Sequence, residues 1–197
     1  MDNHNTIENT ALLLSKLQGI GPRSAKRILF DLMKQKDSLL PNLINALTDL
    51  SARISACPVC FNLDVVSPCH ICASSQRDKT MICAVEDIAA LWAIERTNSY
   101  KGVYFVLGGN LSSYKISKPE DLHLDILINK LNNENINELI LGLSATLEGQ
   151  ITGNYICEQL QKPLKISMLA QGMPVGGEID YLDEVTLSTA IKLRKTI

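Results

Sequence analysis

Several features that define other classes of protein are missing from this 197-residue sequence. No apolar run approaches the ~18 residues that a membrane-spanning helix requires, so we expect no membrane segment. The first residues, MDNHNTIEN, lack the basic start and the apolar stretch of a signal peptide. The sequence also has no internal repeat and no low-complexity tract. These absences predict a globular, cytoplasmic protein whose six cysteines stay reduced, because disulfides are disfavoured in that compartment.

A strong excess of either charge is also missing, since the net charge is −2. The charge is unevenly distributed, however. Residues 1–56 contain seven basic and five acidic side chains, whereas residues 81–197 contain ten basic and fourteen acidic ones. The N-terminal part is therefore the better candidate for contact with a polyanion.

The apolar spacing divides the chain into parts of different character. Residues 6–54 have the spacing of three helices, the first capped by Thr6 and the second with an apolar stripe that includes Ile28. Residues 57–79 are rich in loops and lack the large apolar residues of an independent core. From residue 81, strands at 81–85, 103–107, 138–143 and 164–169 alternate with helices at 87–96, 119–131, 150–160 and 182–195. This alternation predicts a mainly parallel sheet covered by helices.

Two cysteine pairs, Cys57-Pro-Val-Cys60 and Cys69-His-Ile-Cys72, are separated by eight residues. Two such knuckles can surround one tetrahedral zinc ion, and four thiolates would make the site structural. Unliganded turns or a redox-active pair are the alternatives. We interpret His70 as a bystander, and Cys83 and Cys157 as buried apolar thiols.

The segment from Gly19 to Ser24, GIGPRS, lies between the first two predicted helices. Gly19 and Gly21 allow a tight hairpin, and the N-terminus of the second helix can hold a phosphate. Arg23, Lys26 and Arg27 surround it with positive charge, as in a helix-hairpin-helix element that grips the DNA backbone without recognising bases. An ordinary helical hairpin with a solvated basic face is the alternative.

Two acidic residues follow predicted strands, Glu86 directly and Glu148 within a loop spanning 144–150. Ligands of open α/β sheets bind beyond the carboxyl ends of the strands, so both acids could face one crevice. Magnesium-dependent phosphoryl transfer needs a cluster of carboxylates, and Gln150 stands where another acid would be useful. Surface glutamates without a site role are the alternative.

Taken in order, GIGPRSAKR, CPVC–CHIC, ICAVED, YFVLGGNLS, TLEGQ and AQGMPVGGEIDYLDEVTL resemble the RecR family of bacterial recombination mediators. The resemblance covers nearly the whole chain, from about Leu12 to Arg194. It implies a helix-hairpin-helix region (1–56), a four-cysteine zinc finger (57–80), an α/β Toprim domain (81–175) and a helical C-terminal segment with a Walker B-like stretch (176–197). The family is known for ring-like tetramers that encircle DNA. Its members act with RecO, and often RecF, to load RecA onto single-stranded DNA.

The resemblance also implies roles for individual residues. Arg23 and Arg27 match basic hairpin positions, and Glu86 and Glu148 match Toprim acids, the second in a loop linked to RecO contact. The zinc ligands are matched by Cys57, Cys60, Cys69 and Cys72. Relatives commonly have an acid at the position of Gln150, which weakens a magnesium role here. The chain has no Walker A motif to accompany the Walker B-like stretch, so we expect no ATPase activity.

These observations favour a non-enzymatic DNA-binding mediator with one zinc ion per chain. The first alternative is a Toprim-type metal-dependent phosphotransferase, similar to a primase or a nuclease. It would need several clustered acids, and a topoisomerase would need a nucleophilic tyrosine in a further domain. The second alternative is a zinc-stabilised adaptor without DNA affinity.

Overall fold

The first unit of the chain, Met1–Ile54, consists of three helices. They are α1 (Asn3–Ser15), α2 (Pro22–Lys34) and α3 (Leu39–Arg53). The computed structural model describes residues 3–112, 119–170 and 172–194. Helix α1 begins before Thr6, so the predicted cap is wrong. Helix α2 buries Ala25, Leu29 and Leu32, whereas Ile28 lies at the edge of the apolar stripe and remains exposed.

The second unit, Ser55–Ile197, begins with small elements and continues as an α/β fold. The small elements are β1 (Ser55–Ala56), β2 (Leu63–Asp64) and α4 (His70–Ala73). The strands of the sheet are β3 (Asp78–Val85), β4 (Gly102–Val106), β5 (Glu138–Gly142) and β6 (Lys165–Met168). The helices are α5 (Ile88–Glu95), α6 (Leu124–Asn133), α7 (Leu147–Glu158) and α8 (Glu184–Lys192). The predicted last helix extends to Lys195, which lies outside the described residues.

The four long strands form a parallel sheet in the order β4-β3-β5-β6. This confirms the predicted parallel sheet. The strands β1 and β2 pair separately as an antiparallel ribbon. Because β4, β3 and β5 are parallel neighbours, the segments that follow them meet at one edge of the sheet.

Alternate residues of the central strands pack on opposite faces of the sheet, as the two-residue repeat of a strand requires. Ile82 and Phe105 belong to a core that includes Leu127 of α6 and Ile156 of α7. The opposite face has its own core, in which Val85 packs with Leu91 of α5 and with buried cysteines of the 57–72 segment. The cysteine segment is therefore part of the second core of the sheet.

Two helices begin at residues other than those predicted from the sequence, each for a local reason. The prediction of a single helix over 119–131 is wrong, because a 3₁₀ turn at Pro119–Asp121 is followed by a break before α6. At that break the His123 N–H donates to the Leu107 carbonyl at 2.9 Å, which holds the segment to the end of β4. Helix α7 starts at Leu147 instead of residue 150, since Thr146 accepts a hydrogen bond from the Gly149 N–H and caps it.

Cysteine exposure also differs from the prediction at one position. Cys83 is buried in β3, as expected, whereas Cys157 is exposed. Cys157 and exposed Asn154 of α7 line an open cavity whose wall also includes Ile166 and Met168 of β6, so the thiol remains accessible to solvent. No helix of the described residues is long and apolar enough to cross a bilayer.

Candidate functional site

The turn between α1 and α2 exposes the first turn of a helix. Gly19 has φ of +79°, a left-handed conformation that favours glycine. Gly21 is extended and precedes Pro22, which is well suited to the first helical position. A Cβ atom on Gly21 would meet no atom within 4 Å, so nothing inside the unit requires a glycine there. A glycine at this position instead leaves the helix N-terminus open to a partner.

Three exposed basic side chains, Arg23, Lys26 and Arg27, follow this turn on α2. Their spacing of three and four residues places them on one side of the helix. No side chain caps the N-terminus of α2. Among the described residues, none of the three belongs to a salt bridge. The sequence-predicted hairpin residues therefore lie together, next to a helix N-terminus that is favourable for an anion.

The two cysteine pairs come together in the second unit. The sulfur atoms of Cys57, Cys60, Cys69 and Cys72 all lie within 4.8 Å of one another. The Cys60 and Cys69 sulfurs are 3.6 Å apart, too far for a disulfide. Sulfur ligands at about 2.3 Å from a tetrahedral zinc ion are separated by roughly 3.8 Å, so the cluster has the size of a zinc site.

The thiol chemistry of this cluster also suits a divalent cation. Burial raises the pKa of Cys57, but N–H groups, chiefly that of Cys69, outweigh burial and lower the pKa to about 7. Burial raises the pKa of Cys69 to about 11. The Cys72 side chain, together with burial, raises the pKa of Cys60 far above its ordinary value. Four thiolates this close repel one another, and a zinc ion would offset that repulsion. The sulfur set therefore fits one structural zinc ion.

The first knuckle is attached directly to the sheet. The Cys60 carbonyl accepts a hydrogen bond of 2.8 Å from the Val106 N–H, which belongs to edge strand β4. The next residue, Phe61, has φ of +61°. Its ring stacks on His123, with centroids 3.6 Å apart, and contacts Phe105 edge to face. The cysteine cluster thus covers the open edge of β4.

A cleft of about 670 Å³ lies where β4, β3 and β5 end. It brings together Glu86 after β3, Asn110 after β4, and Ser144 and Glu148 after β5. The two acids predicted from the sequence therefore face one crevice. Asp87 also lines it, and no basic residue of the described chain does so. The lining that the structure describes is therefore acidic.

Glu86 is held in a fixed orientation. Ser144 Oγ donates to Glu86 Oε1 at 2.6 Å. The Asn110 side-chain amide donates to the other carboxylate oxygen, Oε2. Asp87 is also engaged, because it caps α5 by accepting from the Ala90 N–H at 2.8 Å. Two of the three acids are therefore already hydrogen-bonded within the protein.

Glu148 lies in the first turn of α7, so its predicted loop position is wrong. A Cβ atom on Gly149 would lie 2.1 Å from the Ser144 carbonyl oxygen, so this close turn requires a glycine. Buried Thr152 donates to the Glu148 carbonyl at 2.7 Å and accepts from the Leu111 N–H at 2.8 Å. These bonds tie the start of α7 to the segment after β4.

Comparisons with known proteins match nearly the whole chain. Four family models cover it in order: the RecR helix-hairpin-helix at 11–50, the RecR four-cysteine zinc finger domain at 54–74, the Toprim domain at 80–170 and the RecR C-terminal segment at 172–195. The chain is 49% identical over 195 residues to recombination protein RecR of Rickettsia bellii, covering 98% of each chain. It is 46% identical over 192 residues to the protein of the same name from Erythrobacter litoralis, covering 97% of each. The chain belongs to the RecR family.

RecR membership agrees with the geometry of the second unit. The four-cysteine cluster lies inside the segment matched by the zinc-finger model, and together they indicate one structural zinc ion. The acidic cleft lies inside the segment matched by the Toprim model. The predicted order of a hairpin region, a zinc finger, an α/β domain and a C-terminal segment is confirmed.

Three polar residues of the cleft next to Glu86, namely Asp87, Asn110 and Ser144, were not predicted from the sequence. Asp87 directly follows Glu86, and two successive acids at a strand end are a signal that could have identified it. Asn110 and Ser144 have no comparable signal. Their role depends on the strand order, which brings the ends of β4 and β5 to either side of Glu86.

Proposed function

We propose that this RecR-family chain is a cytoplasmic recombination mediator of DNA repair without catalytic activity of its own. It binds DNA independently of sequence and acts with RecO, and with RecF where that protein is present, to promote RecA loading at gapped or single-stranded DNA. The observation that carries the proposal is the open N-terminus of α2 with Arg23, Lys26 and Arg27 beside it.

The hairpin is suited to the DNA backbone because phosphate is the one feature that all sequences share. A helix N-terminus binds phosphate through its N–H groups, and nearby basic side chains add charge attraction. Such contacts position a protein on DNA but carry no sequence information. We therefore assign DNA binding to Gly19, Gly21, Arg23, Lys26 and Arg27.

The acidic cleft is the proposed surface for RecO, through Glu86 and Glu148. An acidic rim attracts a basic partner surface and increases the rate of association. Glu86 is held by Ser144 and by Asn110, so its carboxylate needs little further ordering when a partner binds.

The same cleft is poorly suited to the alternative of a metal-dependent phosphotransferase. Metal-assisted phosphoryl transfer uses several carboxylates that are free to bind cations. Glu86 and Asp87 are occupied by protein donors, and Gln150 lines a different cavity, beside β6. Within the described residues, the one group of three or more metal-binding side chains close together is the cysteine cluster. The mediator function is therefore favoured.

A ring-like tetramer is also part of the proposal. In the first unit, many large apolar side chains of α1 and α3 remain exposed, including Leu12, Leu13, Ile44 and Leu47. Helices with such faces commonly pack against a second copy. A ring would present several hairpins to one DNA molecule and so increase its overall affinity.

The test compares two double variants that remove the same charge. Arg23→Ala with Arg27→Ala removes the proposed phosphate contacts. Lys36→Ala with Arg53→Ala removes two exposed charges elsewhere in the same unit, one of them paired with Asp49 at 3.1 Å. Affinity for gapped DNA is measured by fluorescence anisotropy over a series of salt concentrations, together with the native mass of each protein.

We expect the first double variant to bind more weakly, with a log–log salt slope smaller by about 0.9 for each duplex phosphate that the variant no longer neutralises. The control should retain most of the affinity and slope. Two unrelated DNA sequences should give the same result. Equal affinity and slope for the two double variants would show that the hairpin is only a structural turn.

A further inference from the structure

A cavity of about 360 Å³ lies on the zinc-finger side of the second unit. It shares no lining residue with the acidic cleft. Asn62 of the finger, Arg77 before β3, Trp92 and Glu95 of α5, and Lys101 before β4 line it. Its volume is within the range of about 300–1,000 Å³ for small-molecule sites.

The Asn62 side chain of this cavity has unmet hydrogen bonds. Asn62 is only 1% exposed, yet neither its amide nitrogen nor its amide oxygen has a hydrogen-bond partner among the residues that the structure describes. Leaving a buried polar group unpaired is unfavourable, and most such groups in folded proteins are paired. A group that presents an acceptor and a donor side by side would satisfy this amide.

Apart from exposed Lys101, the charged residues around the cavity are paired with one another. The Arg77 guanidinium donates to the Glu95 carboxylate and to the carbonyls of Tyr100 and Gly102, each carbonyl at 3.3 Å. The His70 ring lies 2.8 Å from the Asp64 carboxylate. Acidic and basic side chains are thus balanced, and a simple anion or cation would gain little. The lining instead suits a neutral polar group.

An aromatic ring is also available at this site. Trp92, the one tryptophan of the chain, is 52% exposed. An exposed indole is a platform on which a flat ring such as a base can stack. The asparagine amide is the group that proteins use to pair with the edge of a base.

We propose that this cavity binds a nucleobase, which stacks on Trp92 and hydrogen-bonds to Asn62. The base could come from an unpaired nucleotide of single-stranded DNA or from a free nucleotide. The first source rests on the proposed DNA-binding function, whereas the base-binding chemistry does not. If the base belongs to single-stranded DNA, exposed Lys101, which also lines the cavity, can pair with the phosphate attached to that nucleotide.

The experiment uses the emission of Trp92, which reports on the surroundings of this one side chain because the chain has no other tryptophan. The zinc-loaded protein is titrated with a short thymidine or adenine oligonucleotide, an abasic oligonucleotide of the same length, and the mononucleotides dAMP and TMP. The abasic strand keeps the phosphates and sugars and removes only the bases. We expect quenching by the base-containing oligonucleotide and little quenching by the abasic one.

Asn62→Leu removes the polar atoms at similar volume, and should weaken the base-dependent quenching about tenfold. Its zinc content and unfolding midpoint are measured as well, since Asn62 lies two residues from Cys60. If this variant loses zinc, Trp92→Phe and Trp92→Ala replace it, with anisotropy of labelled oligonucleotides as the readout. Phenylalanine should preserve more of the preference for bases over abasic sites than alanine does.

Each remaining outcome either supports the proposal or overturns it. Quenching by mononucleotides but not by oligonucleotides supports base binding with a free nucleotide as the source. Equal responses to base-containing and abasic strands, together with unchanged binding by Asn62→Leu, show that the cavity holds water only and overturn the proposal. A response of Trp92 only to purified RecO overturns it in favour of protein docking. The Arg23→Ala, Arg27→Ala variant separates the two hypotheses, because it should lower overall DNA affinity and leave the ratio of base to abasic binding unchanged.

Discussion

Replacing Glu95 with glutamine tests the ion pair that joins the start of β3 to the end of α5. Arg77 donates to both oxygens of Glu95, with Nη1 3.0 Å from Oε2. The two side chains are only 17% and 18% exposed. Arg77 also donates to the carbonyls of Tyr100 and Gly102, just before and within β4. One guanidinium therefore connects three elements of the second unit.

The expected loss of stability follows from this partial burial. An exposed ion pair contributes up to about 1 kcal/mol, whereas breaking a buried pair costs about 3–5 kcal/mol. The Arg77–Glu95 pair lies between these limits and is bidentate. We expect Glu95→Gln to lower the free energy of unfolding by about 2–3 kcal/mol. For a unit of this size, that lowers Tm by roughly 5–10 °C.

The stabilisation by the Arg77–Glu95 pair should decrease as the pH falls. Burial alone raises the pKa of Glu95, but the hydrogen bonds and charge of Arg77 outweigh burial, so the pKa lies below its ordinary value of 4.5. The folded protein then binds fewer protons here than the unfolded chain. The stabilisation is present above pH 4.5 and is lost as the pH falls through the lower pKa of the folded state. Glu95→Gln should therefore lose less stability than the wild type on acidification.

The measurement is urea unfolding followed by Trp92 emission, at neutral pH and at several acidic values. Glu134→Gln is the control, because the Lys130–Glu134 pair of α6 is more exposed, at 21% and 53%, and should contribute less than about 1 kcal/mol. A loss below about 1 kcal/mol for Glu95→Gln, or acid sensitivity equal to that of the wild type, would refute the assigned role of the pair.

Two further predictions concern the zinc site and the acidic cleft. Cys69→Ser should abolish stoichiometric zinc binding, which in such sites has an apparent free energy of about 10–16 kcal/mol. It should destabilise the sheet as well as the finger, because Cys69 packs in one core with Val85 and Leu91. Metal analysis and urea unfolding check this, and wild-type zinc content in the variant would contradict it. Glu148→Ala should weaken RecO binding, more at low salt, with zinc content and DNA affinity unchanged. Glu158→Ala, an exposed acid at the other end of α7, is the matched control, and equal RecO binding by both variants would exclude a specific role for Glu148.

Strong local patterns were sufficient for much of the fold. The strand–helix alternation after residue 80 predicted four parallel strands, and the observed strands differ from it by a few residues at their ends. The cysteine spacing predicted one cluster of four thiols. Glu148 was placed in a loop because the helix was predicted to begin at residue 150, whereas α7 begins at Leu147 and Gly149 allows the close approach of the Ser144 carbonyl. A distant contact of this kind has no signature in local spacing.

The sequence by itself therefore determined the order of the parts, the chemistry of the cysteine cluster and the position of the basic hairpin, because each depends on residues close together along the chain. Tertiary structure alone decided that the zinc finger covers the edge of β4 and shares a core with α5. It alone placed Asn110 and Ser144 around Glu86, and Asn62 beside Trp92. These residues are separated by 24 to 58 positions along the chain, and they meet only because parallel strands bring distant segments to one edge of the sheet or to one face.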